Sequence, residues 1–374
     1  MQLIDLCFEN VSGNFIIQTA YTVRMPDKQS IAFVLPAFAS QNEPNWLPWL
    51  QQLMLAIQQK QQNIDITIVS LYFPAKNISY QWNNIEVIAL NGYNRKGIKK
   101  IIFFLKVFRA LMLLKKRKKI KAIVAGWIAE GCFVASWFAY FNRIKFYGWI
   151  LGQDAKPGGL YQRISKIKSH QLLSLSDAAK ELFYKSYGKM PAVLLPGVAE
   201  VKNMIPFNER LIDIMGAGSL IPLKQYNILI EVIAALKNTI PNIQCVISGG
   251  GEDEQKLKKQ IADLNLNDNI DLKGELPHAA SLQLMQQAKL FIHPSSYEGF
   301  GLVNIEALAA GAKVISFVKP MNEEIENWFI VKTKQEMIDK AKEILLNENA
   351  VSKPVIPFSI NNTAKQLLQL LLSN

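Results

Sequence analysis

From about residue 30 to the end of the chain, short runs rich in Val and Ile alternate with segments whose apolar residues recur every three or four positions. That alternation predicts parallel strands covered by helices rather than an all-helical or all-strand protein. A first series of strands is expected at Ile31 to Leu35, Ile66 to Leu71, Val87 to Leu90, Ala122 to Ala125, Phe146 to Leu151, Leu172 to Leu175 and Val193 to Leu195. Helical patterns fill most gaps, Trp46 to Gln59 among them. A second series runs Ile212 to Ala217, Ile243 to Ser248, Ile270 to Lys273, Leu290 to His293 and Val314 to Phe317, and reads as a compact doubly wound domain. Between the two lie Leu195-Pro196-Gly197-Val198 and a polar, proline-containing stretch through Pro206. The boundary is therefore placed after Val198, giving domains 1–198 and 199–374. A last helix, Asn361 to Leu372, carries Ala364, Leu367, Leu368 and Leu371 at helical spacing and is expected to pack back on the first domain. Met1 to Gln29 fit neither series and predict at most extra strands.

Composition changes this picture little. A chain of 374 residues, half of them apolar, exceeds the size at which one core keeps growing, so two domains are the natural expectation. Cys7, Cys132 and Cys245 are few and far apart, which fits neither a disulfide framework nor a paired-cysteine metal site and points to a reducing cytoplasm. Met1 to Asn14 carries Asp5 and Glu9 among its apolar residues, unlike a secretory leader. Ala122 to Phe141 has the length of a membrane span, but Gly126, Glu130 and Gly131 favour a strand, a loop and a core helix.

Charge is unevenly placed. The net charge is +12, and the segment from Arg95 to Lys121 holds twelve basic residues with no acidic one, so the rest of the chain is close to neutral. Within it, Ile101, Phe104, Leu105, Phe108, Met112 and Leu113 are expected to share one helical face while Lys99, Lys106 and Arg109 lie elsewhere. Two readings follow: attachment to the anionic inner face of a membrane, or a core helix followed by a solvated charge run. No base-stacking or groove-reading motif accompanies the basic strip, so nucleic acid is not an expected partner.

Candidate chemistry concentrates in HPSSYEGFGLVNIEALAAGAKVISF, from His293 to Phe317. A strand is followed by Glu298, the glycine loop Gly299-Phe300-Gly301, and a helix starting near Leu302. Glycines admit a ligand close to the backbone, and the unpaired N–H groups and dipole of a helix start suit a diphosphate. Glu306 stands one turn inside that helix, off the core-facing row of Leu302, Ile305 and Leu308. Two carboxylates at one crevice suit sugar and ribose hydroxyls, since each accepts two hydrogen bonds from a diol. The plainer reading is a tight strand-to-helix turn with solvent-facing glutamates. A second element, GAGSLIPLKQYNILIEVIAAL from Gly216, puts the glycine turn Gly218-Ser219 after a strand and Lys224 just before a helix. Lys224 then reaches the carboxyl edge of the sheet, where open α/β sheets bind ligands, or is plain surface.

Together these segments resemble the retaining glycosyltransferases of family 4, which have the GT-B fold of two Rossmann-like domains facing a cleft. The resemblance is carried by the glycine turn before Lys224, SGGGEDEQKLKKQI from Ser248, LKGELPH from Leu272, and the Glu-seven-residues-Glu spacing of Glu298 and Glu306. It implies that Glu298 holds donor-sugar hydroxyls and that Glu306 holds the ribose. The Gly299, Phe300, Gly301 backbone would meet sugar and diphosphate, Gly274 and Glu275 would border the base, Lys224 would neutralise the departing diphosphate, and Gly218, Ser219, Gly250 and Leu302 would complete the donor site. The first half resembles the family more loosely, through WILGQDAKPGG from Trp149, LLSLSDAAKELF from Leu172 and LLPGVAE from Leu194.

Two positions depart from the family. Ser219 stands where an arginine is usual, and Leu151 where a histidine is common, so Asp154 becomes the polar candidate on the acceptor side, with a capping role as its alternative. His293 reads as a hydrogen-bonded structural histidine near the site. No aspartate-any-aspartate motif is present and only three histidines are available, so no metal or other cofactor is expected. The expected activity is transfer of a sugar from a nucleoside diphosphate to a glycan or lipid-linked hydroxyl, in surface polysaccharide or glycolipid assembly. The linker near Pro196 to Pro206 would serve as hinge. A weak or inactive nucleotide-sugar-binding or scaffold protein and a sugar-nucleotide epimerase are the alternatives.

Overall fold

The structure, a computed structural model, describes residues 4–9, 15–20, 29–42, 44–93, 95–201 and 204–373. Residues 202 and 203 of the expected linker lie outside the described residues. Strands β1 (Ile4–Glu9) and β2 (Phe15–Ala20) pair antiparallel as a separate sheet, so the opening segment does contain extra strands.

The first large sheet collects β3 (Gln29–Ala37), β4 (Ile64–Phe73), β5 (Asn77–Trp82), β6 (Ile85–Leu90), β7 (Lys119–Gly126), β8 (Lys145–Ile150), β9 (Leu172–Ser174) and β10 (Ala192–Val193). Their order is β10-β9-β8-β7-β3-β4-β6-β5, parallel throughout except for β5. Strand β5 is an edge strand the sequence pattern does not reveal. Its turn into β6 uses Asn83 and Asn84 at φ 46° and 63°, the left-handed pair that a two-residue hairpin requires. The helices between these strands are α1 (Pro48–Lys60), α2 (Ile98–Arg117), α3 (Glu130–Asn142), α4 (Tyr161–Ile164) and α5 (Asp177–Tyr187).

The second sheet collects β11 (Ile212–Ala217), β12 (Cys245–Ser248), β13 (Ile270–Gly274), β14 (Ala288–His293), β15 (Lys313–Ser316) and β16 (Trp328–Ile330). Its order, β13-β12-β11-β14-β15-β16, is the 3-2-1-4-5-6 arrangement of dinucleotide-type Rossmann domains, and all its pairs are parallel. Helices α6 (Tyr226–Lys237), α7 (Glu254–Asp263), α8 (His278–Gln286), α9 (Leu302–Ala309) and α10 (Lys334–Leu345) alternate with its strands. The final helix, α11 (Ile360–Leu372), crosses back to the first domain.

Burial explains why these runs form strands: Ile31, Phe33, Ala32 and Val34 of β3 are essentially sealed on both faces, as strands covered by helices on either side must be. Helices α1 and α11 cover one face of the first sheet, where Leu367 and Leu371 join Leu53 and Ile57 in one core. Thr363 Oγ1 donates to Leu195 O at 2.8 Å and Tyr147 Oη to Leu370 O at 3.3 Å, so the last helix is bound into the first domain. Helices α2, α3 and α5 cover the other face. The stretch Ala122 to Phe141 resolves into β7, a short loop and α3, and among the described residues no helix is long and apolar enough to cross a membrane.

The expected face of α2 is corrected. The buried row is Phe103, Val107, Leu111 and Leu114, with Phe104, Phe108 and Met112 half-buried, whereas Ile101, Leu105 and Leu113 point outward. The helix is apolar on two opposite faces, so spacing alone allows either face to be taken as the inner one.

Candidate active site

In a doubly wound sheet, the loops leaving the strands on either side of the order reversal splay apart and open a crevice at the carboxyl edge. Here both sheets have such a reversal, between β3 and β7 in the first and between β11 and β14 in the second, and the two crevices face each other. The cleft between them has a volume of about 700 Å³. The first domain lines it with Asn45, Leu47, Trp127 and Leu151; the second supplies Gly218, Ser219, Lys224, Gly250, Glu275, Glu298, the Gly299-Phe300-Gly301 loop, Leu302 and Glu306.

Glu298 is the electrostatic centre. Its Oε1 accepts from Lys224 Nζ at 2.5 Å and from His293 Nε2 at 2.7 Å. Lys224 ends a single 3₁₀ turn, Pro222–Lys224, just before α6, and its chain runs over Gly218 toward the glutamate. His293 closes β14 and is buried, with its Nδ1 unpartnered among the described residues. Burial pushes the imidazole below its ordinary value despite the neighbouring carboxylate, so it is the neutral ring that donates through Nε2. Burial also works to raise the Glu298 carboxyl, but the hydrogen bond from His293 and the charge and hydrogen bond of Lys224 outweigh it and hold it well below the usual range. A carboxylate so stabilised cannot serve as a general base near neutral pH; it can accept hydrogen bonds.

The glycine loop splits its duties. Gly301 takes φ 84° at the N-cap of α9, the left-handed conformation that only glycine adopts without strain, and this starts the helix at the cleft, which Gly301, Leu302 and Val303 line. Gly299 is small for a different reason. A Cβ there would meet Gly152 Cα and Leu151 O at 2.7 Å, so its space is taken by the first domain rather than reserved for a ligand. Ser176 Oγ donates to Gly299 O at 2.5 Å and Tyr297 Oη to Gly152 O at 2.9 Å, which fastens the loop across the domain boundary. Phe300 turns its ring away from the cleft into the core, against Trp328 and Phe358.

Glu306 lies at the other end of the cleft and is paired through Oε1 with His278 Nε2 at 2.8 Å. His278 begins α8. Burial pulls its pKa down, but the hydrogen bond and charge of Glu306 prevail and the net shift is upward. Glu298 and Glu306 thus share one cleft, each with a basic partner already in place.

Asp154 requires a correction. It is buried beneath the cleft, not in it: Oδ2 accepts from Ile128 N at 2.9 Å, and Oδ1 from Gly152 N at 2.8 Å and Leu151 N at 3.2 Å. Its oxygens are spent on the loops that carry Trp127 and Leu151, so no oxygen is aimed at an acceptor, and it does not cap the segment that follows either, because the N–H groups it holds belong to Ile128, Leu151 and Gly152. Gly274 is also outside the lining; its carbonyl accepts from Gly249 N at 2.8 Å and supports the turn that carries Gly250. His278, Tyr297, Ser176 and Trp127 were not singled out by sequence. His278 follows a proline in a loop, and nothing local marks it as the partner of a residue 28 positions on.

Two Rossmann-like domains closing on a shared cleft, their strand order reversing at its centre, define the GT-B class. Residues 199–355 match the family model "Glycosyl transferases group 1". Among curated relatives, the chain is 36% identical over 111 residues to poly(glycerol-phosphate) alpha-glucosyltransferase of Bacillus subtilis, covering 26% of this chain and 16% of that protein. It is 26% identical over 187 residues to an uncharacterized glycosyltransferase of Haemophilus influenzae, covering 47% and 52%. The chain therefore spans between a sixth and about half of the length of these relatives. Among solved structures, Anabaena HepE in complex with UDP and glucose superposes with a TM-score of 0.66 at 16% identity, over 92% of this chain and 99% of that one, a likeness of fold.

Proposed function

We propose that the chain is a retaining glycosyltransferase of the family 4 type, moving a sugar from a nucleoside diphosphate to a hydroxyl acceptor without a metal. The observation that carries this reading is the Lys224–Glu298 pair, set between the switch-point loops of the second domain and beside the N-terminus of α9. An arriving diphosphate competes for the ammonium group. Lys224 then turns from Glu298 to the phosphate oxygens, and the carboxylate, still oriented by His293, takes up sugar hydroxyls. Negative charge grows on the leaving diphosphate as the glycosidic bond breaks, and Lys224 with the α9 amides stabilises it there. Glu306, braced by His278, accepts from the ribose diol. Because Glu298 is held deprotonated by two donors, rate comes from leaving-group stabilisation and from holding donor and acceptor together. Binding of UDP and glucose by the Anabaena protein of like fold supports a nucleotide-sugar donor.

One observation favours a second reading, a binding protein with little turnover. Lys224 is the one lysine or arginine lining the cleft among the described residues, it is engaged by Glu298, and Ser219 brings no charge. Purified protein incubated with a panel of nucleotide sugars and hydroxyl acceptors, with and without EDTA, separates the two. Nucleoside diphosphate release coupled to a glycosylated product of unchanged anomeric configuration is expected, and it should be insensitive to EDTA. Tight donor binding with no release in the presence of any acceptor selects the second reading.

A further inference from the structure

The outer face of α2 is built the wrong way for a surface that meets only water. Ile98, Ile101, Ile102 and Leu105 follow one another around the outward side at 73, 60, 59 and 66% exposure, and Leu113 continues the row. Helix α3 lies alongside α2, with Phe108 and Phe138 in edge contact at 5.3 Å, and adds exposed Tyr140 and Phe141 to the same layer. Contiguous exposed apolar area on a helix whose other face is already in the core marks an interaction surface.

Charge decides what covers it. Arg109 interrupts the apolar row on its own face, and Lys99 and Lys116 stand exposed on the same helix, with no ion-pair partner for any of the three among the described residues. The carboxylates nearby are consumed: Glu130 by Lys100, Glu86 by Arg117 and Lys118, Asp65 by Lys118. A second copy of the chain would set cation against cation in a two-fold contact. An anionic bilayer satisfies both halves of the surface at once, taking the isoleucines at the acyl boundary and the ammonium and guanidinium groups among phosphates.

We propose that the outer face of α2, with the end of α3, docks the protein on an anionic lipid surface. The docking has a direction. Lys100 binds Glu130 at the start of α3, and Tyr72 Oη donates to the same carboxylate at 2.9 Å from the carboxyl end of β4, so the N-terminal end of α2 sits at the sheet edge that opens into the cleft. Docking through Ile98 to Leu105 therefore brings the acceptor side of the cleft toward the bilayer, which favours an acceptor carried on lipid; this last step rests on the glycosyl-transfer reading.

The test is co-sedimentation of the full chain with vesicles of phosphatidylcholine alone or with phosphatidylglycerol added, a readout that needs no nucleotide sugar and so stands apart from catalysis. The chain is expected to pellet with the anionic vesicles, at least tenfold more than with neutral ones, and less as salt rises. Ile101→Asp with Leu105→Asp should abolish pelleting while leaving the thermal midpoint and turnover on a soluble acceptor unchanged. Arg109→Glu with Lys116→Glu should remove the preference for anionic lipid. The proposal is overturned if the unaltered chain stays in solution with anionic vesicles, or if the aspartate variant pellets as well as it does. It is also overturned if the chain is a dimer that the aspartate variant converts to monomer, because the face is then covered by a second copy.

Discussion

The two switch points of this molecule are built on the same topology and carry opposite chemistry. In the second domain the loops after β11 and β14 deliver a lysine and a glutamate, and the last residue of β14 a histidine, with the lysine and the histidine both bonded to the glutamate. In the first, the loops after β3 and β7 deliver Leu47 and Trp127, and the nearby carboxylate, Asp154, is turned down into the protein to hold backbone N–H groups. Strand order opens a crevice in either case; the residues placed at its lip decide whether it binds charge or offers an apolar wall. In the proposed reaction the second crevice takes the donor, and the first shapes the acceptor side and keeps water out.

The sharpest way to break this contrast is to remove the cation. Lys224→Ala should lower kcat about 10²- to 10³-fold, measured as nucleoside diphosphate release, with a smaller change in the donor KM, because the ammonium acts on charge that develops in the transition state. An unchanged kcat would place the chemistry elsewhere. Asp154 tests the other crevice through stability. Burial lifts its folded-state pKa to about 6, so its proton-linked stabilisation is complete below the ordinary carboxylate range and is lost as pH rises through 6. The stability margin of the unaltered chain over Asp154→Asn, from urea denaturation, should therefore shrink by roughly 2 kcal/mol between pH 4 and pH 7.

Smaller effects are expected where the crevices touch. Gly299→Ala forces a methyl group against Leu151 and Gly152 and should cost about 1–3 kcal/mol, read as a lowered thermal midpoint or as a more open solution scattering profile. Smallest is Glu306→Ala, or His278→Ala beside it, which should raise the donor KM about tenfold with kcat nearly unchanged, as loss of one ribose contact does.

How much of this was legible beforehand depended on whether a residue's role is local. The β14 to α9 turn is local: strand, glutamate, glycines and helix occur in one uninterrupted segment, and their order in the chain is their order in the cleft. The pairing of His278 with Glu306 is not local, and neither is the approach of Gly299 to Leu151, so a glycine that serves domain contact read as one that serves a ligand. Asp154 had two readings in sequence, and the difference lies in whether its carboxylate turns toward Ile128 or toward solvent, which spacing does not encode. Helix α2 resisted for a third reason: with apolar residues on both sides, periodicity finds the helix but not the inside. The strand β5 hid because Asn77 to Trp82 are mostly polar, as befits an edge.

The return of α11 to the first domain also bears on how the halves can move. The polypeptide passes between them twice, and the two passages are laced together where Val198 pairs with Ser359, with Val198 N donating to Phe358 O at 2.9 Å and Ile360 N to Val198 O at 3.1 Å. A single tether permits swivelling in any direction, whereas two tethers bonded side by side resist twist and leave bending across them as the soft motion. Any opening of the cleft is thereby confined to bending across the Val198–Ser359 pairing rather than twisting about it.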